Sequence, residues 1–302
     1  MAEIRSDAER KRCAVVTGAN KGIGFEICRQ LASNGFLVIL TSRDTKRGTD
    51  AVEKLKDSGI TDVVFHQLDV MDPTSIASLA EFIKTQFGKL DILVNNAGIG
   101  GVEVQHDELR ALKQAHGEVK DFSKLGEIMT NVNELTEECL KTNYYGVKTL
   151  TDALIPFLQL SDSARIVNVS SSLGNLKNIP NEKAKDVLSD VDGLTEQRIN
   201  ELLNEFFKDF KEDLLETKGW PVRISAYILS KAALNAYTRI LARKFPTFRI
   251  NCVCPGYVKT DITYNTGAFT AEEGAESPVR LALLPDDGPT GLFFYRAEVA
   301  DF

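Results

Sequence analysis

Cys13-Ala-Val-Val-Thr17-Gly18-Ala19-Asn20-Lys21-Gly22-Ile23-Gly24 is the stretch that decides the fold. Its first residues are short, apolar and uninterrupted, the pattern of a strand buried on both faces of a parallel sheet. A glycine-rich turn follows at once, then a helical pattern from Phe25 to Asn34 that stops at Gly35, a residue suited to ending a helix. Strand, glycine turn and helix in that order aim backbone N–H groups and a helix N-terminus at one place, which holds a phosphate without any side chain. The spacing is G-x-x-x-G-x-G, and a tight turn with no ligand would carry the same glycines. The strand-to-helix context favours dinucleotide binding.

Downstream, Leu37-Val-Ile-Leu-Thr-Ser42 reads as a second strand with Arg43 at its end. An acidic residue there accepts the ribose 2′-hydroxyl of NAD, whereas an arginine suits the 2′-phosphate of NADP. Lys21, Arg43, Lys46 and Arg47 form a basic cluster that favours NADP, although Asp44 stands in the same place. A helix over Ala51–Ser58 and a strand over Val63–Leu68 complete a βαβαβ half. Asp69 and Val70 follow that strand, with Asp69 suited to the adenine amino group. Thr74–Gln86 reads as a helix and Ile92–Val94 as a fourth strand. Asn95-Asn96-Ala97-Gly98 comes next, where small residues allow a ligand to approach the backbone.

Residues 99–133 are polar and irregular, too long for a plain connection. A helix from about Thr136 to Leu160 carries Asn143, an asparagine at mid-helix, where that residue is mildly unfavourable. A fifth strand, Ala164–Val169, ends in Ser170, Ser171 and Ser172. Residues 173–222 form a long insertion whose Ile199, Leu202, Leu203, Phe206, Phe207 and Phe210 recur at helical spacing, a stripe that predicts core packing. Then come Tyr227 and Lys231, four apart in a helix that runs to about Lys244. That spacing sets a phenol and an ammonium on one face, and the ammonium would favour the phenolate. Taken alone, a solvated helix face fits the pair equally well. A sixth strand, Arg249–Cys254, leads into Pro255-Gly256-Tyr257-Val258-Lys259-Thr260. The remainder predicts a short helix over Pro278–Leu284 and a last strand around Gly291–Tyr295.

Composition narrows the classes. The chain has 302 residues, 43% apolar and 26% charged, and a net charge of −7. With no long basic run, nucleic-acid and anionic-membrane partners are not expected. The five cysteines lack metal-ligand spacing and the three histidines are scattered, so no metal site is expected. The first twelve residues are polar, with no leader-like apolar segment, and no apolar run approaches ~18 residues. These readings predict a cytoplasmic protein with one α/β domain over 1–302, built on a doubly wound parallel sheet flanked by helices.

Taken together, Thr17–Gly24, Asn95–Gly98, Asn143, Val169-Ser170-Ser171, Tyr227-x-x-x-Lys231 and Pro255-Gly256 resemble the short-chain dehydrogenases/reductases in order and spacing. The separation of 56 residues from Ser171 to Tyr227 is similar to that in the monomeric carbonyl reductases. Runs such as Lys89–Asn96 and Leu283–Asp287 resemble the plant branch of menthone/neomenthol and salutaridine reductases. The resemblance implies a Rossmann-type fold and a hydride transfer between NADPH/NADP+ and a small-molecule ketone or alcohol. It assigns Tyr227 as general acid and Lys231 as the group that lowers its pKa and binds the nicotinamide ribose. Ser171, with Ser170 as the near alternative, orients the substrate beside Tyr227, and Asn143 binds a water that resupplies the proton. The implied cofactor contacts are Gly18, Asn20, Lys21, Gly22, Ile23, Gly24, Arg43, Arg47, Asp69, Val70, Asn95, Ala97, Gly98, Asn143, Tyr227, Lys231, Pro255, Gly256, Val258 and Thr260. The substrate pocket is expected beyond the strand C-termini, with walls from residues 99–133, residues 173–222 and the loop after Pro255. Tyr257 and Tyr264 are candidate wall residues.

An enone-reducing relative in this branch lacks the tyrosine, so its presence here favours carbonyl chemistry. The expected activity is reduction of an apolar cyclic ketone, reversible as an alcohol dehydrogenase. An enzyme working mainly in the alcohol-oxidising direction, or a non-catalytic NADP-binding regulatory protein, are the alternatives. The insertion would cover the helices through which many relatives pair, so a monomer is expected.

Overall fold

The unbroken apolar run at Cys13–Val16 forms strand β1, all four residues buried. The computed structural model describes residues 11–105, 107, 109 and 127–302. From β1 the chain alternates through α1 (Gly22–Ser33), β2 (Leu37–Ser42), α2 (Thr45–Asp57), β3 (Val63–Gln67), α3 (Pro73–Gln86) and β4 (Ile92–Asn95). A small antiparallel pair follows, β5 (Val102–Val104) with β6 (Met129–Asn131). Next come α4 (Asn133–Leu140), a π-type stretch over Lys141–Gly146, α5 (Val147–Leu158) and β7 (Arg165–Val169). The insertion supplies α6 (Glu182–Ser189) and α7 (Glu196–Lys211). Then α8 (Ser225–Lys244), β8 (Arg249–Cys254), α9 (Ala271–Ala282), β9 (Phe293–Tyr295) and β10 (Glu298–Ala300) complete the chain.

One sheet of eight strands runs in the order β10-β9-β8-β7-β4-β1-β2-β3. Every neighbouring pair is parallel except β9 with β10. The sheet is therefore doubly wound, and the order reverses at β1, between β2 and β4. In such sheets a crevice opens beyond the C-terminal strand ends at that switch. Strand alternation divides the core: Ala14 and Val16 pack with Ile27, Leu31, Leu55 and Val279 on one face, and Cys13 and Val15 with Leu79, Leu154 and Leu241 on the other. The predicted α/β class holds, with both faces of one sheet covered.

Several predicted boundaries move, each for a local reason. Helix α2 starts six residues before Ala51, because Asp44 caps it by accepting from the Arg47 N–H at 2.8 Å. Gly48 in its first turns weakens the apolar pattern but lets the helix lie on Phe65, whose Cε2 would stand 1.9 Å from an added Cβ. The long helix expected from Thr136 begins at Asn133 and is interrupted by the π-type stretch that holds Asn143. The last helix spans Ala271–Ala282 instead of Pro278–Leu284: a reciprocal cap between Thr270 and Glu273 starts it early, and Pro278 is accommodated inside. Strand β10 is an unpredicted antiparallel edge. The irregular reading of residues 99–133 falls partly outside the described residues, as does that of residues 1–10; where described, the former holds the β5–β6 pair.

The insertion's apolar stripe packs as its spacing predicts. Ile199, Leu202, Leu203 and Phe206 of α7 are buried, with Phe207 and Phe210 partly so. Lys148 on α5 reaches both Asp152 at 2.7 Å and Glu196 at 2.9 Å, tying α5 to the first turn of α7. No helix among the described residues is long and apolar enough to cross a membrane.

Candidate active site

The loops after β1 and β4 are stitched into one floor. Thr17 Oγ1 accepts from the Asn96 and Ala97 N–H groups, each at 2.9 Å, and the Asn96 amide donates to the Thr17 carbonyl at 2.8 Å. Such close approach requires glycine at position 18. Its φ is +61°, and a Cβ there would stand 2.9 Å from Ala97 Cα. Helix α1 begins at Gly22 with Lys21 extended before it, no side chain capping its N-terminus and no acid in its first turn. Its first N–H groups and the positive end of its dipole are left facing the crevice, the arrangement that receives a phosphate.

Around this floor lies a cleft of about 1090 Å³, larger than the ~300–1000 Å³ usual for a single small ligand. Gly18, Asn20, Lys21, Gly22, Ile23, Gly24, Arg43, Arg47, Asp69, Val70, Ala97, Gly98, Ser171, Tyr227, Lys231, Pro255, Gly256, Val258 and Thr260 all line it, as do Tyr257 and Tyr264. One end is cationic. Arg43 meets Glu138 of α4 at 3.3 Å, Arg47 meets Asp44 at 3.9 Å, and Lys21 is paired with Asp261 across the cleft mouth. Asp44 also lines the cleft, its Oδ1 capping α2 and its carboxylate beside Arg47, whereas Lys46 is exposed and does not line it. The donors, the close backbone and this cationic rim fit a dinucleotide carrying an extra phosphate. Asp69 is turned inward locally, accepting from the Met71 N–H at 2.9 Å.

Two predicted contacts do not reach the cleft. Asn95 is buried within the sheet, where its amide donates to Asn168 Oδ1 at 2.8 Å and Thr151 Oγ1 at 3.2 Å. As the last residue of β4 it points to the opposite side from Asn96, and Asn96 is the one that lines the cleft. Asn143 is fully buried. Its Oδ1 accepts from the Ile99 N–H at 2.9 Å, and its amide donates to the Ile99 carbonyl and to Ser230 Oγ, each at 3.0 Å. Both ends of the amide are engaged by protein, and the side chain faces Ile99 and Ser230 and not the open cleft. It braces the backbone beyond Gly98 instead; a Cβ at Gly98 would sit 3.2 Å from Asn143 Oδ1 and 3.4 Å from Lys231 Nζ.

Helix α8 brings Tyr227 and Lys231 to the cleft wall on one face. Lys231 is buried, its Nζ donating to the Val169 carbonyl at 2.9 Å and lying 5.7 Å from the centre of the Tyr227 ring. Burial pushes its ammonium down to about 8, against the pull of the Cys139 and Cys254 thiols. Burial likewise raises the Tyr227 phenol above its ordinary value, opposed by a hydrogen bond with the Ser171 side chain. The serine alternative resolves: Ser171 meets Tyr227, whereas Ser170 Oγ donates to Asn235 Oδ1 at 2.6 Å in the core.

A loop from Tyr257 to Phe269 forms the facing wall. It closes on itself through the Ala268 N–H to the Tyr257 carbonyl and the Lys259 N–H to the Phe269 carbonyl, each at 2.7 Å. Beyond Tyr227 the cleft is apolar, lined by Val102, Met129, Leu173 and Ile224. The first three fall in segments expected to wall the pocket, but no pattern singled them out, since β5 and β6 are too short to show one. Ile224 opens the stretch that carries Tyr227 and Lys231, but nothing in its residue type marked it as a wall residue. All five cysteines are free and buried, and no cluster suited to a metal occurs among the described residues.

Comparison with known proteins agrees with this geometry. The family profile described as short chain dehydrogenase matches residues 12–183, and one described as enoyl-(acyl carrier protein) reductase matches residues 214–287. The chain is 60% identical over 298 residues to (+)-neomenthol dehydrogenase of Arabidopsis thaliana, covering 97% of this chain and 99% of that one. It is 59% identical over 301 residues to salutaridine reductase of Papaver somniferum, covering 97% of each. A solved structure of salutaridine reductase from that plant superposes with a TM-score of 0.90, covering 94% of this chain and 99% of its own. Carbonyl reductase (NADPH) 3 of Mus musculus is 38% identical over 289 residues, covering 91% and 92%.

Proposed function

Because the chain belongs to the short-chain dehydrogenase family and is an oxidoreductase acting on C=O and CH–OH groups, we propose that it is an NADPH-dependent reductase of apolar cyclic ketones, reversible as an alcohol dehydrogenase. The observation that carries this reading is the convergence of Ser171, Tyr227 and Lys231 on the wall of one cleft whose lining also includes the open start of α1. Relatives named for salutaridine, neomenthol and NADPH carbonyl reduction support the substrate class and the cofactor.

The uncapped start of α1 and the close backbone at Gly18 hold the pyrophosphate. Arg43, Arg47 and Lys21 take the 2′-phosphate, and Asp69 takes the adenine amino group. When bound, NADPH supplies the hydride. Ser171 and Tyr227 hydrogen-bond the carbonyl oxygen, and the Tyr227 O–H proton passes to that oxygen as it becomes an alcohol. The phenolate left behind is favoured by the Lys231 cation one turn away, which also holds the nicotinamide ribose. Val102, Met129 and Leu173 exclude water from the reacting carbon. Asn143 serves by fixing Ile99 and Ser230 around this centre.

Purified protein assayed with NADPH on menthone, a morphinan-type ketone and simple aldehydes tests the reading. Turnover above that of Tyr227→Phe supports it; turnover equal to that variant on every substrate defeats it. The bridge from Lys148 to Glu196 sets α7 over α5, which supports a monomer, and the five free cysteines support a reducing, cytoplasmic setting. Sedimentation giving a stable dimer at micromolar concentration would overturn the monomer.

A further inference from the structure

Helix α8 starts in an unusual way. Its N-cap is Ile224, with φ 45° and ψ 33°, in the left-handed region. Among the described residues five non-glycine positions have positive φ, and of Asp213, Ile224, Tyr264, Asn265 and Arg296 only Ile224 is β-branched. Branching at Cβ makes that conformation a steric outlier, and outliers of this kind persist only where the surroundings impose them. An N-cap is also a position for Asn, Asp, Ser or Thr, whose oxygen receives a free N–H. Isoleucine offers none, and the helix has no side-chain cap. Two local preferences thus oppose Ile224, and asparagine or glycine would relieve the left-handed strain.

The surroundings do impose it. On one side, buried Trp220 is anchored by its indole N–H on Asp209 Oδ2 at 2.8 Å and by its backbone N–H on the Leu215 carbonyl at 2.8 Å. On the other, Asn131 of β6 donates to the Val222 carbonyl at 2.7 Å. Both pins lie just upstream, and the chain passes from them into α8 with Ile224 against the cleft, 8% exposed and packed at the edge of the buried core, three residues before Tyr227.

We propose that Ile224 is a substrate-shape determinant: its branched side chain forms the apolar wall beside Tyr227, and the strained backbone keeps that wall in place. The ligand class it selects is a ring-bearing apolar ketone over a straight-chain aldehyde. This rests on the carbonyl-reductase reading above. It assigns no chemistry to Ile224 itself; removing the branch opens the space into which a ring must fit.

The test compares kcat/KM for menthone and hexanal in Ile224→Asn, Ile224→Gly and Ile224→Val, with melting temperature and NADPH affinity measured alongside. In the Asn and Gly variants the menthone-to-hexanal ratio is expected to fall roughly tenfold or more. Their melting temperature falls less than that of the core truncation Leu229→Ala, because relief of the left-handed strain offsets part of the buried apolar area lost, and NADPH affinity is unchanged. Val, which keeps the branch, holds the ratio within about threefold. An unchanged ratio in both Asn and Gly overturns the proposal. So does a changed ratio accompanied by a loss of melting temperature matching that of the core truncation Leu229→Ala, since Ile224 would then be a core plug. If the unmodified protein binds NADPH but turns over neither substrate, the reductase reading fails separately. Ile224 is then read from menthone's protection of the NADPH-loaded protein against heat: weaker protection in the Asn and Gly variants upholds the wall, and equal protection overturns it.

Discussion

Lys231 is tied to Val169: its ammonium donates to the carbonyl at the end of β7 at 2.9 Å, in a buried setting, and not to the Tyr227 oxygen. The pair explains why the ammonium is pushed down from 10.5 to about 8, since a single carbonyl replaces the water it has lost. A lysine that binds its proton less tightly when folded opposes folding at neutral pH, by roughly 3 kcal/mol for this shift. That opposition fades as pH rises from about 8 through 10.5. The raised Tyr227 phenol acts with opposite sign, but only above its ordinary value of ~10. Burial also raises the Cys13, Cys28, Cys139 and Cys252 thiols, which lowers stability as pH rises past their ordinary value near 9, and the Lys231 contribution between about pH 8 and 10 offsets part of that fall. Lys231→Met should therefore make the fall across this range steeper, as read by urea melts; parallel pH profiles for the two proteins would contradict it.

The two neighbouring serines should separate cleanly. Ser171→Ala removes the hydroxyl on Tyr227 and is expected to lower kcat roughly a hundredfold with little loss of stability. Ser170→Ala leaves Asn235 Oδ1 without its 2.6 Å donor, so it should cost about 1–3 kcal/mol in denaturant melts and change kcat only a few-fold. A reversed pattern would exchange their roles.

At the cationic end, Arg43→Ala should weaken NADPH far more than NADH, by roughly tenfold or more, because a charge-assisted contact to the extra phosphate is lost. Glu138→Gln frees Arg43 from the carboxylate 3.3 Å away and should tighten NADPH slightly, with NADH unaffected. Both are read from protein-bound cofactor fluorescence; equal losses for the two cofactors in Arg43→Ala would count against the assignment.

Asn95→Ala is expected to leave NADPH affinity within about twofold while lowering stability by roughly 1–3 kcal/mol, since Asn168 and Thr151 lose a buried partner. Calorimetric cofactor binding paired with thermal melts decides it. A large loss of affinity with intact stability would return Asn95 to the cleft.

Much of the fold was legible because parallel strands buried on both faces leave continuous apolar runs. Strict apolar–polar alternation is not needed there, and β1, β2, β7 and β8 stood where their runs predicted. Element ends were less legible. Asp44 as a cap moved α2, and the Thr270–Glu273 reciprocal cap moved α9, although both signals were present in the residue types. The small β5 and β6 strands exist through each other's pairing and have almost no pattern of their own. In the site, motif residues near the glycine turn and the Tyr227 helix were readable by spacing, whereas Asn95, one position from the cleft-lining Asn96, was not.

Sequence alone determined the strand–glycine–helix unit, the doubly wound class and the alignment of Tyr227 with Lys231, because each follows from neighbours a few residues apart. Only the tertiary structure decided which serine meets the phenol, where Asn143 and Lys231 place their hydrogen bonds, and that Ile224 stands strained in the wall. Those outcomes depend on groups far apart in the chain: Asn143 meets Ser230 across 87 positions, and Asn131 meets Val222 across 91. Burial makes each such hydrogen bond costly to leave unmade, and no local pattern encodes which distant partner will be there to make it.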